Sequence, residues 1–148
     1  YTSGSSPEIS RPQQTKKRII MIQANTHLGI NAKLCGAIKL LDEERAHVTL
    51  EATAEMAADD HQLVHGGFIF GLADYAAMLA VNDPNVVLGA AQVKFLAPVK
   101  VGDTVEARAR ISEEEGKKRV LIVHATVNEK RVFEGEFTAF VLAKHVLA

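Results

Sequence analysis

Apolar and polar residues alternate with a period of two along much of this chain, the mark of strands that bury one face. Between residues 46 and 52, Ala46, Val48, Leu50 and Ala52 share one side while His47, Thr49 and Glu51 take the other. A shorter strand, Gly36 to Leu41, precedes it, and the charged run Asp42 to Arg45 makes the turn. Residues 87 to 97 are rich in Val, Leu and Phe and stop at Pro98. Residues 103 to 112 set Val105, Ala107, Ala109 and Ile111 against Thr104, Glu106, Arg108 and Arg110. The stretch EEEGKK reads as a hairpin turn, after which Leu121, Val123, Ala125 and Val127 mark another strand. A last strand, Arg131 to Leu142, places Phe133, Phe137 and Val141 on one face. The pattern predicts a mostly antiparallel sheet joined by hairpins.

Residues 66 to 82, GGFIFGLADYAAMLAVN, break the period. Their Ala, Leu and Met content suits a helix of about 25 Å, and they are apolar all round. A helix with no polar face must be enclosed, and the sheet is what can enclose it. The expected architecture is α+β: a curved antiparallel sheet of five or six strands wrapped around one central helix. Ahead of it, the first dozen residues are rich in Ser, Gly and Pro and have little to bury, so residues 1–14 read as a disordered tail or an expression remnant. From Thr15 to about His27, a basic cluster followed by Ile19, Ile20 and Ile22 predicts a short amphipathic helix. Residues 15–148 then form a single domain.

Composition narrows the function. A chain of 148 residues suits one domain with a real core. With 17 Lys+Arg against 18 Asp+Glu there is no overall electrostatic drive toward nucleic acid or an anionic membrane. The single cysteine, Cys35, forbids an intramolecular disulfide and leaves no thiolate cluster for zinc, so it reads as structural, and no metal site is expected. No apolar run approaches the roughly 20 residues of a membrane span, and the start lacks a basic-then-apolar signal pattern. A soluble, cytoplasmic protein is expected.

Asp74 is the exception to the central helix, its one acid or base in an apolar stretch. Burying an unpaired carboxylate is costly, so it either meets a subunit interface or a backbone donor, or lines a cleft where desolvation raises its pKa. His65, Gly66 and Gly67 stand at the helix N-terminus, where free N–H groups form a site for a carbonyl oxygen gaining negative charge. Asp74 follows Gly67 by seven residues, about two turns along the same face.

HGGFIFGLADYAA resembles the signature of hotdog-fold thioesterases of the phenylacetate-pathway, PaaI-like type. VKFLAPVKVGDTVEARARI is similar to the hairpin that follows it in that family, and the resemblance runs from roughly Leu34 to Leu142. It implies a hotdog fold and hydrolysis of an acyl-CoA thioester to free acid and coenzyme A, with coenzyme A as part of the substrate and no cofactor. Asp74 would attack the carbonyl directly or activate a water, the Gly67 N–H would polarise it, and His65 would position the thioester or hold the turn, beside Gly66. Relatives carry Asn or Gln about six residues before the motif histidine to orient water; here Asp59 lies six before and Gln62 three before. The family pairs subunits sheet to sheet with the cleft between them, which implies a homodimer and a tetramer built from two dimers. Lys117, Lys118 and Arg119, with Lys100, are the candidate cations for the coenzyme phosphates; the solvated turn is their other reading. Two rival functions are a hydroxyacyl-thioester dehydratase, whose His-Phe-Pro approach to the helix is absent, and a non-enzymatic acyl-CoA sensor. His124, mid-strand, reads as a packed or interface histidine.

Overall fold

A computed structural model describes residues 21–148. The expected tail and the first part of the expected amphipathic helix lie outside these residues. Within them, Met21 to His27 is irregular rather than helical, with a bend at Thr26 and His27 at φ 54°. It is strapped to the body by Ile22 N–H donating to the Leu41 carbonyl at 3.0 Å. Asn82 holds it a second time, receiving Asn25 N–H on Oδ1 at 2.7 Å and donating from Nδ2 to the Gln23 carbonyl at 3.0 Å. Of the three isoleucines only Ile22 lies within the described residues, and its backbone is held by a tertiary partner instead of a helical turn.

The elements run α1 (Ala32–Cys35), β1 (Ala37–Leu41), β2 (Arg45–Glu51), a 3-10 turn (Ala54–Met56), α2 (Gly66–Val81), β3 (Val86–Phe95), β4 (Thr104–Glu115), β5 (Lys118–Val127) and β6 (Lys130–Val141). The six strands form one sheet in the order β1-β2-β4-β5-β6-β3, every pairing antiparallel. Each predicted strand is present. α2 ends one residue earlier than expected, where Asn82 adopts the left-handed conformation, φ 55°, of a helix C-cap.

The EEEGKK turn is tighter than the sequence suggests. A bulge between Ile111 and Glu113 restores pairing, so Glu113–Glu115 extend β4 and Lys118 opens β5, leaving Gly116 and Lys117 as a two-residue loop. Gly116, at φ +56°, occupies the position where such loops favour glycine. The β5–β6 loop is Asn128-Glu129, both at positive φ, the pairing of backbone states in a tight type I′ hairpin. Bulges also interrupt β1, β3 and β6, and bulges bend strands, which lets the sheet curl around α2.

The core is the interior of that curl. Leu72, Ala76, Met78 and Leu79 of α2 are fully buried against Val48, Val105, Leu121, Phe133 and other inward positions. Alanines at 73, 76, 77 and 80 keep the helix thin enough for the sheet to close on it. Enclosure is incomplete, however. Gly67 is exposed and Gly71 and Asp74 are half-buried, so one stripe of α2, at i, i+4 and i+7, faces away from the sheet.

Candidate active site

The start of α2 is aimed by short ladders on both sides. Ala57 bridges Val64 and Leu63 bridges Lys100. His65 N–H donates to the Met56 carbonyl at 2.9 Å, and Val64 N–H to the Val99 carbonyl at 2.8 Å. His65 is the N-cap residue, with no capping bond from its side chain. Its exposed ring folds back over the first turn: a Cβ on Gly67 would stand 2.9 Å from His65 Nε2. Glycine at 67 is therefore what leaves room for this ring. Among the described residues the Gly66 and Gly67 N–H groups have no backbone acceptor, as the opening amides of a helix do not.

Asp74 lies on the open stripe two turns on. Burial alone pushes its carboxyl up to about 6, and Oδ1 is buried with no hydrogen-bond partner. Among the described residues no cation or donor offsets the charge, which leaves the carboxylate basic. Gly67 and Asp74 share a face as expected, yet seven residues of helix separate them by about 10 Å along the axis. A carbonyl carbon held about 3 Å from the carboxylate is beyond the reach of the same chain's Gly67 N–H.

The other expected site residues divide. Asp59 is spent on the turn before α2, where Oδ1 accepts from His61 N–H at 2.9 Å and Leu63 N–H at 3.2 Å. Gln62 is exposed in the left-handed conformation, φ 67°, and its carbonyl receives Val101 N–H at 2.9 Å. Lys117, Lys118 and Arg119 are not brought to the helix start. Lys118 pairs with Phe140, whereas Phe133 pairs with Phe95, whose ring lies against Gly66; seven residues of β6 put roughly 23 Å between these ends of the sheet. Arg119 is also engaged locally, donating from Nη1 to the carbonyls of Gly116 at 2.7 Å and Lys118 at 3.1 Å. Lys100, paired with Leu63, is the considered cation whose backbone lies beside the helix start. Among the described residues no three His, Cys, Asp or Glu side chains gather as a metal site, and no helix is long and apolar enough to cross a membrane.

Beside Gly66 the structure adds a feature that the strand pattern did not announce, an apolar hollow of about 340 Å³ whose walls include Leu63, Ile69, Phe95, Leu96, Pro98 and Val132. Leu63, Phe95 and Leu96 are exposed, 41%, 56% and 46%, which is unusual for three neighbouring large apolar side chains. Of the four aromatic residues Phe68, Phe70, Tyr75 and Phe95, Phe95 lines this hollow; Tyr75 is buried, Phe70 stacks on Phe137 with ring centres 5.5 Å apart, and Phe68 lies edge-on to the His65 ring. Two exposed apolar residues just before a proline, Phe95 and Leu96, were the available signal.

Comparison with known proteins fits this geometry. The family model of the thioesterase superfamily matches residues 61–132, which span the helix start, Asp74 and the hollow. A methylthioribose-1-phosphate isomerase of Aquifex aeolicus is 56% identical over 79% of this chain, and the transcription factor FapR of Caldanaerobacter subterraneus is 29% identical over 80%. The chain spans 26% of the first and 60% of the second, so those names describe longer proteins. Among solved structures, the protein PH1136 of Pyrococcus horikoshii superposes with a TM-score of 0.86 at 51% identity, covering 87% of this chain and 99% of that one. The PaaI protein of Escherichia coli, an acyl-coenzyme A thioesterase by name, superposes with a TM-score of 0.68 at 33% identity, covering 74% of this chain and 86% of that one. Signature, sheet-wrapped helix and relatives agree: the chain belongs to the hotdog-fold thioesterase superfamily, as a PaaI-like member.

Proposed function

We propose that this protein hydrolyses an acyl-CoA thioester to the free acid and coenzyme A. The observation that carries the reading is Asp74: a half-buried carboxylate without a partner among the described residues, raised to about 6, on the stripe of α2 that the sheet leaves open. At neutral pH such a group is mostly ionised and more basic than an ordinary aspartate, which suits removal of a proton from water or direct attack on the thioester carbon. The N–H at Gly67 stabilises the oxyanion that forms. Because one chain holds these groups about 10 Å apart, the productive pair is Asp74 with the partner subunit's Gly67, in a homodimer whose open stripes face each other. His65, folded over Gly67, holds the turn that presents this donor. The hollow beside Gly66 receives an apolar part of the substrate, and Lys100 lies at its edge for a coenzyme phosphate.

The test is release of free thiol from a panel of acyl-CoAds differing in chain length and polarity. Wild type turns over at least one, and Asp74→Asn loses about 10²-fold or more in rate, the scale of a positioned acid–base group. Equal rates in both proteins would end the role of Asp74. The similarity to the transcription factor FapR favours a second reading, acyl-CoA binding without turnover. Under that reading no thiol appears with any substrate while acyl-CoA still raises the melting temperature.

A further inference from the structure

The apolar hollow beside Gly66 has a fixed frame. After Phe95 closes β3, the N–H groups of Leu96 and Ala97 both donate to the Val132 carbonyl, at 2.8 and 3.3 Å. On the approach to α2, Val64 N–H donates to the Val99 carbonyl at 2.8 Å. The floor is core, since Val64, Ile69, Val99 and Val132 are buried. Such a frame is formed before a ligand arrives. Phe95 is the one aromatic residue in its wall. The ring stands edge-on to Phe133, its register partner on β6, with centres 5.3 Å apart, and Phe133 is fully buried and cannot retreat. The same ring lies against Gly66, where a Cβ would come 3.3 Å from Cε1 and 3.7 Å from Cδ1 and Cζ. Phe95 is thus held between a core aromatic and the helix start, next to the amides assigned above to the thioester carbonyl.

The chemistry of the walls decides which part of an acyl-CoA belongs there. No side chain lining the hollow carries a charge, a hydrogen-bond donor or an acceptor. The pantetheine arm has two amides and a hydroxyl, and each would lose water on entering without gaining a side-chain partner. A charged acyl group is disfavoured by the same argument, more strongly. An uncharged acyl chain loses nothing of the kind, and each methylene it buries is favoured about fourfold. We infer that the acyl group occupies this hollow, that it is uncharged and apolar, and that Phe95 sets its length. The inference rests on the thioesterase reading for the position of the carbonyl. It adds a specificity-determining residue that lies outside the helix and the turn before it.

The test compares kcat/KM across straight-chain acyl-CoAs from acetyl to dodecanoyl, with succinyl-CoA as a charged chain, for wild type, Phe95→Ala and Phe95→Trp. Wild type gains about fourfold per added methylene up to a break and then falls, and succinyl-CoA trails butyryl-CoA by about tenfold or more. Phe95→Ala moves the break to chains about two methylenes longer, and Phe95→Trp moves it to shorter ones. The ratio of rates for a long and a short substrate then differs about tenfold or more between the two variants. A ratio measured on one sample does not depend on how much of it is folded, so lost stability cannot imitate this result. Coenzyme A itself, added as a product inhibitor, inhibits wild type and Phe95→Ala equally. A break that stays in place in both variants overturns the inference, as does succinyl-CoA turned over as fast as butyryl-CoA. Weaker inhibition of Phe95→Ala by coenzyme A overturns it too, because that places the pantetheine arm against Phe95. If wild type releases no thiol from any of these substrates, the thioesterase reading fails, and the same panel is read as binding by calorimetry. The break in affinity then moves with the size of residue 95 if the acyl group lies in the hollow; a fixed break overturns the inference.

Discussion

An aspartate whose carboxyl is pushed up to about 6 by burial carries a stability cost as well as a chemical use. In the unfolded chain its pKa returns to 3.8. The folded state therefore holds the proton more tightly, and stability falls as pH rises from about 4 through about 6, levelling above that. The penalty at neutral pH is at most about 3 kcal/mol and smaller to the extent that water reaches the half-buried group. Asp74→Asn removes it. The variant is expected to melt at a higher temperature than wild type at pH 8, with the gain shrinking to nothing near pH 4; a scan of melting temperature against pH reads this directly. No gain at pH 8 would mean that a donor in the assembled protein compensates the charge. Activity should move the other way, kcat/KM rising through a limb near pH 6 as the carboxylate ionises, a limb that Asp74→Asn lacks. On the proposed mechanism the residue that carries this stability cost is also the one that performs the reaction, a trade between stability and activity.

At the scale of elements, close approach of helix and sheet decides what is tolerated. Gly36 ends α1 at φ +109°, and a Cβ there would fall 2.6 Å from Val48 Cγ1 and 2.8 Å from Leu72 Cδ1. Both neighbours are fully buried, so neither can retreat. Gly36→Ala should destabilise by about 2–4 kcal/mol, through backbone strain and overpacking together, measured as a fall in the denaturation midpoint in urea. The elements themselves were legible because their periods differ. Alternating Val105, Ala107 and Ala109 can only be a one-sided strand, and the unbroken apolar run after Gly66 can only be a covered helix. What was not legible depends on partners distant in the chain. The strap from Met21 to His27 is not helical because Leu41 and Asn82 bind it, and no local pattern records them. Asp74 could be found as a lone charge among apolar neighbours. The placement of Lys117 to Arg119 could not, because a turn's basicity says nothing of the roughly 23 Å between it and Gly66. Lys100 and Leu63 reach the helix start through an isolated bridge that no local pattern announces.

For the whole molecule, the incomplete wrapping of α2 and the incomplete sheet have one consequence. β3 is an edge strand of ten residues, and Gly89, Ala90, Ala91 and Gln92 along it are exposed. A long, nearly uncharged free edge is a template for pairing with another chain. In the proposed dimer a copy added there would extend the sheet and bring its α2 beside this one, so that each Asp74 would meet the other chain's helix start. Complementation tests this arrangement. Gly67→Pro removes the proposed donor at a position where a helix loses no internal hydrogen bond, provided His65 turns aside. Asp74→Asn removes the carboxylate. Each variant alone should be inactive. Denatured together and refolded as a mixture, half of the dimers are mixed, and each of these carries one site with both native groups and one with neither. About a quarter of the wild-type rate should return, as two-fold symmetry with a shared site requires. If each site were built within one chain, every site in the mixture would lack a group, and no activity would return however well the chains paired.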